Sequence, residues 1–238
     1  MRAVYRFLIS LNTLFVVFTI CAVLALVGSL TLPANLAFFS GIDDTPLFKW
    51  LSDAGNLKAT WWIFVFIVVL ALLATSMALC IVEDLRTGVS RKNILQKLSP
   101  QLIHLGTLFV LLGYLLTSAY GLRADVLIGK GETGAIGTNA SLHLVDLNAR
   151  TDENGYFTDW KAVLRFVKDG VESDTMVLRP VHPVRVGGYE LFFKSIDMGD
   201  EQAALIRVCR DPGAGWALLG GALLLLGSLG LAYIRLRA

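Results

Sequence analysis

The sequence predicts an α-helical membrane protein: a bundle of four transmembrane helices, with a small antiparallel β domain, extracytoplasmic, inserted between helices 3 and 4. Two observations predict it. Four stretches, Phe7 to Ile42, Ala59 to Val82, Leu98 to Leu122 and Pro212 to Ile234, contain no Asp, Glu, Lys or Arg. Each holds the roughly 20 residues that a helix needs to cross about 30 Å of hydrocarbon. Residues 123–211, by contrast, carry 25 of the chain's 40 charged side chains, the density of a fold that meets water. Over all 238 residues only 17% are charged, below the quarter or so of soluble domains, which excludes an ordinary soluble enzyme.

Taken in order, residues 1–122 hold three spans, about 7–32, 60–82 and 99–121, with short loops; 123–211 form the β domain; 212–238 form the fourth span and a short tail. Pro33 and the polar residues after it place the end of the first span near Leu30 to Leu32. Its apolar run exceeds the roughly 7–15 residues of a signal-peptide core and lacks a small-x-small site, so it is expected to stay as an anchor. Basic residues set the orientation. Arg2, Arg6, Arg86, Arg91, Lys92, Lys97, Arg235 and Arg237 flank one side, whereas the other short loop has Lys49 and Lys58 against Asp43, Asp44 and Asp53. Both termini are therefore expected in the cytoplasm of a multi-pass protein of the plasma (inner) membrane, with the lipid bilayer as its surroundings. A net charge of +2 gives no reason to expect nucleic acid.

The charged domain reads as β. Ser141 to Asn148, Ala162 to Val167, Asp174 to Leu178, Tyr189 to Ser195 and Ala203 to Cys209 are short, rich in Val, Leu, Ile and Phe, and several alternate apolar with polar residues. Asn154-Gly155, Lys168-Asp169-Gly170 and Gly187-Gly188 supply the positive φ of tight hairpins. A small sandwich or barrel-like sheet is the expected product, with one modest core.

Cys21 and Cys80 are expected as small apolar fillers, and Cys209 has no assigned role. Their depths forbid a disulfide and no C-x-x-C is present, which argues against a thiol-disulfide oxidoreductase. Trp61, Trp62 and Trp216 fit an aromatic belt. Gly106, Gly113 and Gly121 in the third span, and Gly213, Gly215, Gly220, Gly221, Gly227 and Gly230 in the fourth, let backbones approach. Packing within the bundle and docking of another membrane subunit both remain open for them.

Among titratable groups His104 stands apart, because it is the one such side chain expected inside a span, two turns from Lys97. An ionisable residue at that depth points to function. A neutral imidazole in an apolar pocket can ligate haem iron axially; a hydrogen bond to a neighbouring helix is the alternative. His182, set between Pro180 and Pro183 in an expected extended segment, is a weaker ligand candidate. His143 lies on the outer face of a strand. With no close Ser or Cys partner and no His-x-x-x-His spacing, a hydrolase or zinc enzyme gains no support, and no catalytic residues are assigned.

The order of parts resembles the ResB-like family of cytochrome c biogenesis proteins, in a short version of its CcsB-type subunit. The second span starts on Trp61-Trp62 and ends on Cys80, and a short basic loop follows. The third span carries His104, Gly106 and Gly113 and leads through Gly121 to Gly131-Glu132. The β domain closes on Pro183-Val184-Arg185-Val186-Gly187-Gly188-Tyr189-Glu190-Leu191-Phe192-Phe193-Lys194-Ser195, and Arg210-Asp211-Pro212-Gly213 opens a Gly-rich last span. The resemblance implies an accessory subunit for haem transport and cytochrome complex assembly. It would act with a CcsA-like, Trp-rich membrane partner to move haem across the membrane and support its attachment to apocytochrome c. It implies haem b, bound transiently and shared with the partner, with iron held by His104, and thiol-reducing proteins among the partners. The chain would be non-catalytic alone and work within a cytochrome c haem-lyase (synthetase) complex. Many members have a larger extracytoplasmic domain, and the Trp-rich motif is missing here. A structural scaffold that never touches haem is the competing reading; an extracytoplasmic sensor is disfavoured by the short cytoplasmic segments.

Overall fold

Hydrophobic runs of more than 20 residues leave the backbone only its own hydrogen bonds in lipid, so they fold as long helices. The structure, a computed structural model, describes residues 5, 7–8, 10–42, 44–86, 94–136, 140–154, 157–199 and 202–237. Arg2, Arg6, Asp43, Arg91 and Lys92 of the charge count, and Gly155 of the expected Asn154-Gly155 turn, lie outside them. Six helices are described: α1 (Leu11–Ala34), α2 (Leu36–Phe39), α3 (Leu47–Ala54), α4 (Leu57–Arg86), α5 (Ile94–Tyr120) and α6 (Ala214–Arg237). Of these, α1, α4, α5 and α6 are long and apolar enough to cross a membrane, as in a multi-pass membrane protein. The chain divides into a helical unit and a β unit; the β strands follow the third long helix and precede the fourth.

In the helical unit α1 packs along α4 through Cys21, Leu24, Trp62, Ile63, Val69, Leu73 and Met77. Gly28 makes room for an indole, since a Cβ there would lie 2.5 Å from the ring of Trp62. Trp62 is therefore core and not belt, with 9% exposure against 50% for Trp61. Successive helical residues point about 100° apart, which lets Trp62 face α1 while Trp61 points away from it. Buried hydroxyls find helix carbonyls: Thr60 donates to Asn56, Ser99 to Leu95, and Ser76 to Leu8 near the chain's start. Such bonds satisfy the side chain where water is excluded.

The end of the first span lies half a turn beyond expectation. α1 continues through Pro33 to Ala34; Pro33 has no N–H for the Ser29 carbonyl and its ring crowds that carbonyl, and the helix stops one residue later. The loop that follows is not structureless. α3 turns Leu47, Trp50, Leu51 and Ala54 inward at helical spacing, stacks Trp50 on Phe39 with ring centroids 5.5 Å apart, and ends on left-handed Gly55 at φ 60°.

α5 and α6 meet along glycines. A Cβ on Gly106 would lie 2.7 Å from the carbonyl oxygen of Gly220, and one on Gly113 would lie 2.8 Å from that of Gly213. Further along, Gly227 lies against Ser99 and Ile103, and Gly230 against Ser99. Packing within the unit thus accounts for Gly106, Gly113, Gly213, Gly220, Gly227 and Gly230. Gly215 and Gly221 face open space.

The β unit has two antiparallel sheets. One runs β1-β9-β8-β7, from Leu122–Gly129, Ala203–Arg210, Tyr189–Asp197 and Val184–Val186. The other runs β2-β3-β4-β5, from Thr133–Ile136, Ala140–Thr151, Phe157–Lys168 and Val171–Glu172, and β6 (Met176–Leu178) also pairs with β4. Leu142, Leu144, Leu164 and Phe166 from the second sheet share a core with Ile128, Leu191, Ile206 and Val208 from the first. Two of the expected turns form two-residue hairpins: Asp169 (φ 50°) and Gly170 (φ 80°) join β4 to β5, and Gly187 (φ 57°) and Gly188 (φ 85°) join β7 to β8. Two positive φ angles match the right-handed twist of the flanking strands.

On the outer face of the first sheet, Asp125 of β1 sits opposite Arg207 of β9, which donates from Nε and Nη2 to its two carboxylate oxygens, both at 2.7 Å. That fork holds the Asp125 carboxyl below the usual carboxylate range. A depressed pKa means that the pair's stabilisation is present above the unfolded-state value of about 4 and is lost as pH falls through the folded value. Asp125→Asn should therefore lower the melting temperature slightly at pH 7, as befits a solvent-exposed pair. The gap from wild type should close in melts below about pH 4; a gap that widens in acid would contradict the pairing.

Candidate functional site

α5 carries the residue that the sequence singles out. Ile103, Gly106, Val110, Gly113 and Thr117 meet α6, whereas Leu108 packs against the α1–α4 core. His104 follows Ile103 by about 100° around the helix and precedes Leu108 by one turn, so it lies on the α1–α4 side of α5 and not in the glycine seam. The side chain is half-buried and its Nδ1 atom is buried. Pro100, one turn earlier, lies inside α5 and withholds an N–H from the carbonyl of Gln96.

Gln101 was not distinguished by sequence reasoning, yet its Oε1 atom is also buried. It stands three residues before His104, which puts it on the same face. The available signal was a polar residue one turn from the span's histidine in an otherwise apolar run.

Imidazole is among the side chains that ligate haem iron in other proteins, and His104 is an imidazole on an apolar helix. Among the described residues no group of three or more His, Cys, Asp and Glu could hold a metal ion.

His182 belongs to the β unit. It is exposed, and its N–H donates to the Arg179 carbonyl at 3.3 Å. The expected extended segment is instead a turn in which Val181 adopts φ 64° and is 94% exposed. A proline restricts the residue before it, which constrains Arg179 and His182; Val181 follows Pro180 and escapes that restriction. His143 lies on the outer face of β3, its Nδ1 at 3.2 Å from the Thr133 hydroxyl. Cys209 sits on the outer face of β9 between Arg123 and Glu190, and none of Cys21, Cys80 and Cys209 forms a disulfide. A groove of about 620 Å³ opens beside Lys130, Glu132 and Gln202. Its charged groups are engaged within the fold, Lys130 with Asp146 at 2.7 Å and Glu132 with the Gly129 N–H at 3.2 Å.

The model of the ResB-like family matches residues 83–206, from the end of α4 to β9. This chain belongs to the ResB-like family. The matched region includes His104, both glycines of α5 that meet α6, and nearly all of the β unit, so the resemblance drawn from the order of motifs holds. Among solved structures, "Cytochrome c Heme Lyase CcmF" is similar at 17% identity and a TM-score of 0.46, over 69% of this chain and 29% of that one. The chain thus spans less than a third of that protein's length. None of the curated protein sequences matches this one.

Proposed function

We propose that this ResB-like chain is the accessory membrane subunit of a c-type cytochrome biogenesis system. With a CcsA-like membrane partner it moves haem across the membrane and supports its covalent attachment to apocytochrome c. Membership of the family supports the general role. The observation that carries the specific one is His104, an imidazole inside an apolar helix on the face away from the glycine seam. Haem would supply the iron; His104 would hold it through one ring nitrogen, and the partner would supply the remaining protein ligand. Here the helix holds the imidazole at a fixed depth among apolar neighbours. The basic flanks put both termini in the cytoplasm and the β unit outside, where it positions the apocytochrome.

The test is to purify the chain with its membrane partner and compare haem content and optical spectrum for wild type and His104→Ala. The variant complex is expected to keep its subunits and lose most of its haem. An unchanged haem load and spectrum would overturn the ligand role and leave a scaffold that stabilises its partner.

A further inference from the structure

Between α1 and α4 the chain exposes apolar side chains where a loop in water would carry polar ones. Leu36 and Leu57 are each 71% exposed and Phe48 is 46% exposed, and Pro33, Ala34 and Ala37 are exposed beside Leu36. Short links tie these residues to the spans. Asn35 alone separates α1 from α2, and Gly55 and Asn56 separate α3 from α4. Links of this length keep α2 and the end of α3 within about 10 Å of the span ends. Packing draws α3 down further, because Trp50 stacks on Phe39 and, with Leu51, packs against the core that α1 and α4 share. α3 therefore rests at the height of the lipid headgroups.

The apolar arc of α3 is wider than its protein contact. Leu47, Trp50, Leu51 and Ala54 face inward, while Phe48, Lys49, Ser52 and Asp53 are exposed. At about 100° per residue Phe48 falls about 60° from Leu51 and about 140° from Asp53, so it extends the packed face at one edge and leaves the charged sector on the other side. An apolar arc with a polar back is the pattern of a helix that lies in a membrane interface. We propose that α2 and α3 form such an interfacial element: Leu36 and Phe48 insert into the lipid leaflet at this end of α1 and α4, Asp53 stays in water, and the long stem of Lys49 brings its ammonium to the lipid phosphates. Lipid is the occupant because this surface continues the lipid-facing surface of the spans. Leu26, Leu30 and Ala34 are exposed at successive turns of α1 and lead to Leu36, and Trp61, exposed on α4, lies one turn below Leu57 on the same face.

The experiment reads depth in phospholipid nanodiscs, on the complete chain alone and with its membrane partner. Chains with Cys21, Cys80 and Cys209 replaced by alanine carry a nitroxide at Leu36→Cys, Phe48→Cys or Asp53→Cys, and circular dichroism checks that each keeps its helices. Labels at Leu36 and Phe48 should be relaxed by oxygen and not by a water-soluble nickel chelate, at a depth of about 5–10 Å. The label at Asp53 should show the reverse. Nickel relaxation at all three positions would place the segment in water and overturn the proposal. Shielding of Phe48 from both reagents would also overturn it and give the face to protein, to the partner if the shielding appears only in the complex. A benzophenone amino acid in place of Phe48, with the native cysteines kept, provides an independent reading. Adducts with lipid acyl chains are expected, and adducts with polypeptide in their place would contradict the assignment.

Discussion

Alanine at Gly220 should destabilise the helical unit, while alanine at Gly221, the next residue, should not. A Cβ at Gly220 would lie 2.5 Å from the Gly106 carbonyl oxygen and 2.6 Å from the Val110 amide nitrogen, both backbone atoms of α5, whereas nothing lies within 4 Å of one at Gly221. A flexible side chain could move aside; a helix backbone yields only if the whole helix shifts. Overpacking of this kind costs about 1–3 kcal/mol and sometimes more. In lipid the loss is sharper in kind, since close backbone approach is itself what drives association of such helices. At Gly221 the only change is the replacement of a poor helix former by the best one, a gain of up to about 1 kcal/mol. Thermal melts of the chain in mild detergent should give shifts of opposite sign, and equal responses at the two positions would show that the seam does not hold α5 against α6. The effect should reach the proposed haem site as well. His104 rides on the same helix as Gly106, so displacing α5 at Gly220 should reduce haem retention in the complex although no ligand has been touched.

The glycine pair illustrates what was legible in the sequence. That the fourth span is rich in small residues could be read directly, and so could the general use of such residues. Which glycines face α6's neighbour depends on helical phase relative to another helix, and no single sequence states that. Trp62 failed for the same reason: two tryptophans at the end of a span read as a belt, and only the position of Gly28 on α1 turns one of them inward. Four spans and their order came from composition alone, because the length of a hydrocarbon-crossing helix is fixed by the bilayer. His104 was legible because charge and polarity are so scarce there. Gln101 was not, since an uncharged amide near the start of a span looks like an ordinary interfacial residue until its oxygen is found buried.

In the β domain β3, β4, β6, β8 and β9 were legible, and β1, β2, β5 and β7 were not. Three of those four have four residues or fewer, which leaves little apolar length to read. β1 is longer, but it directly follows a helix and its Leu122 sits in the same uncharged run. The two bulges carry a subtler signal. In β3, Leu142 and Leu144 point inward and the next inward residue is Leu147, a step of three, because Val145 is the extra residue between Leu144 and Asp146. In β8 Lys194 plays the same part, so that Phe193 and Ile196 both pack on the core. A bulge resets the phase of a strand. A step of three between apolar residues, in a segment otherwise of period two, is its trace.

Leu164→Ala should have the largest effect in the β unit. Leu164 is fully buried on β4, opposite Leu144 of β3 on one side and Met176 of β6 on the other. Truncating it removes three carbons from a site enclosed by both sheets, and a cavity remains because neighbours on regular strands cannot collapse into it. Leucine-to-alanine changes of this type cost about 2–5 kcal/mol. For a unit of this size each kcal/mol lowers the melting temperature by roughly 4–8 °C. Hydrogen exchange of the full chain in detergent would localise the loss, with the amides of β3 and β4 exchanging faster. Val177→Ala is the matched control: Val177 lies on β6 next to Leu178 but is 48% exposed, whereas Leu178 is fully buried. It should stay within about 0.5 kcal/mol of wild type. Two apolar residues on paired strands, one pleat apart, would then differ several-fold in what their truncation costs. Equal losses at Leu164 and Val177 would mean that the two faces of the second sheet are not distinguished by burial, contrary to the alternation that the sequence and the core both display.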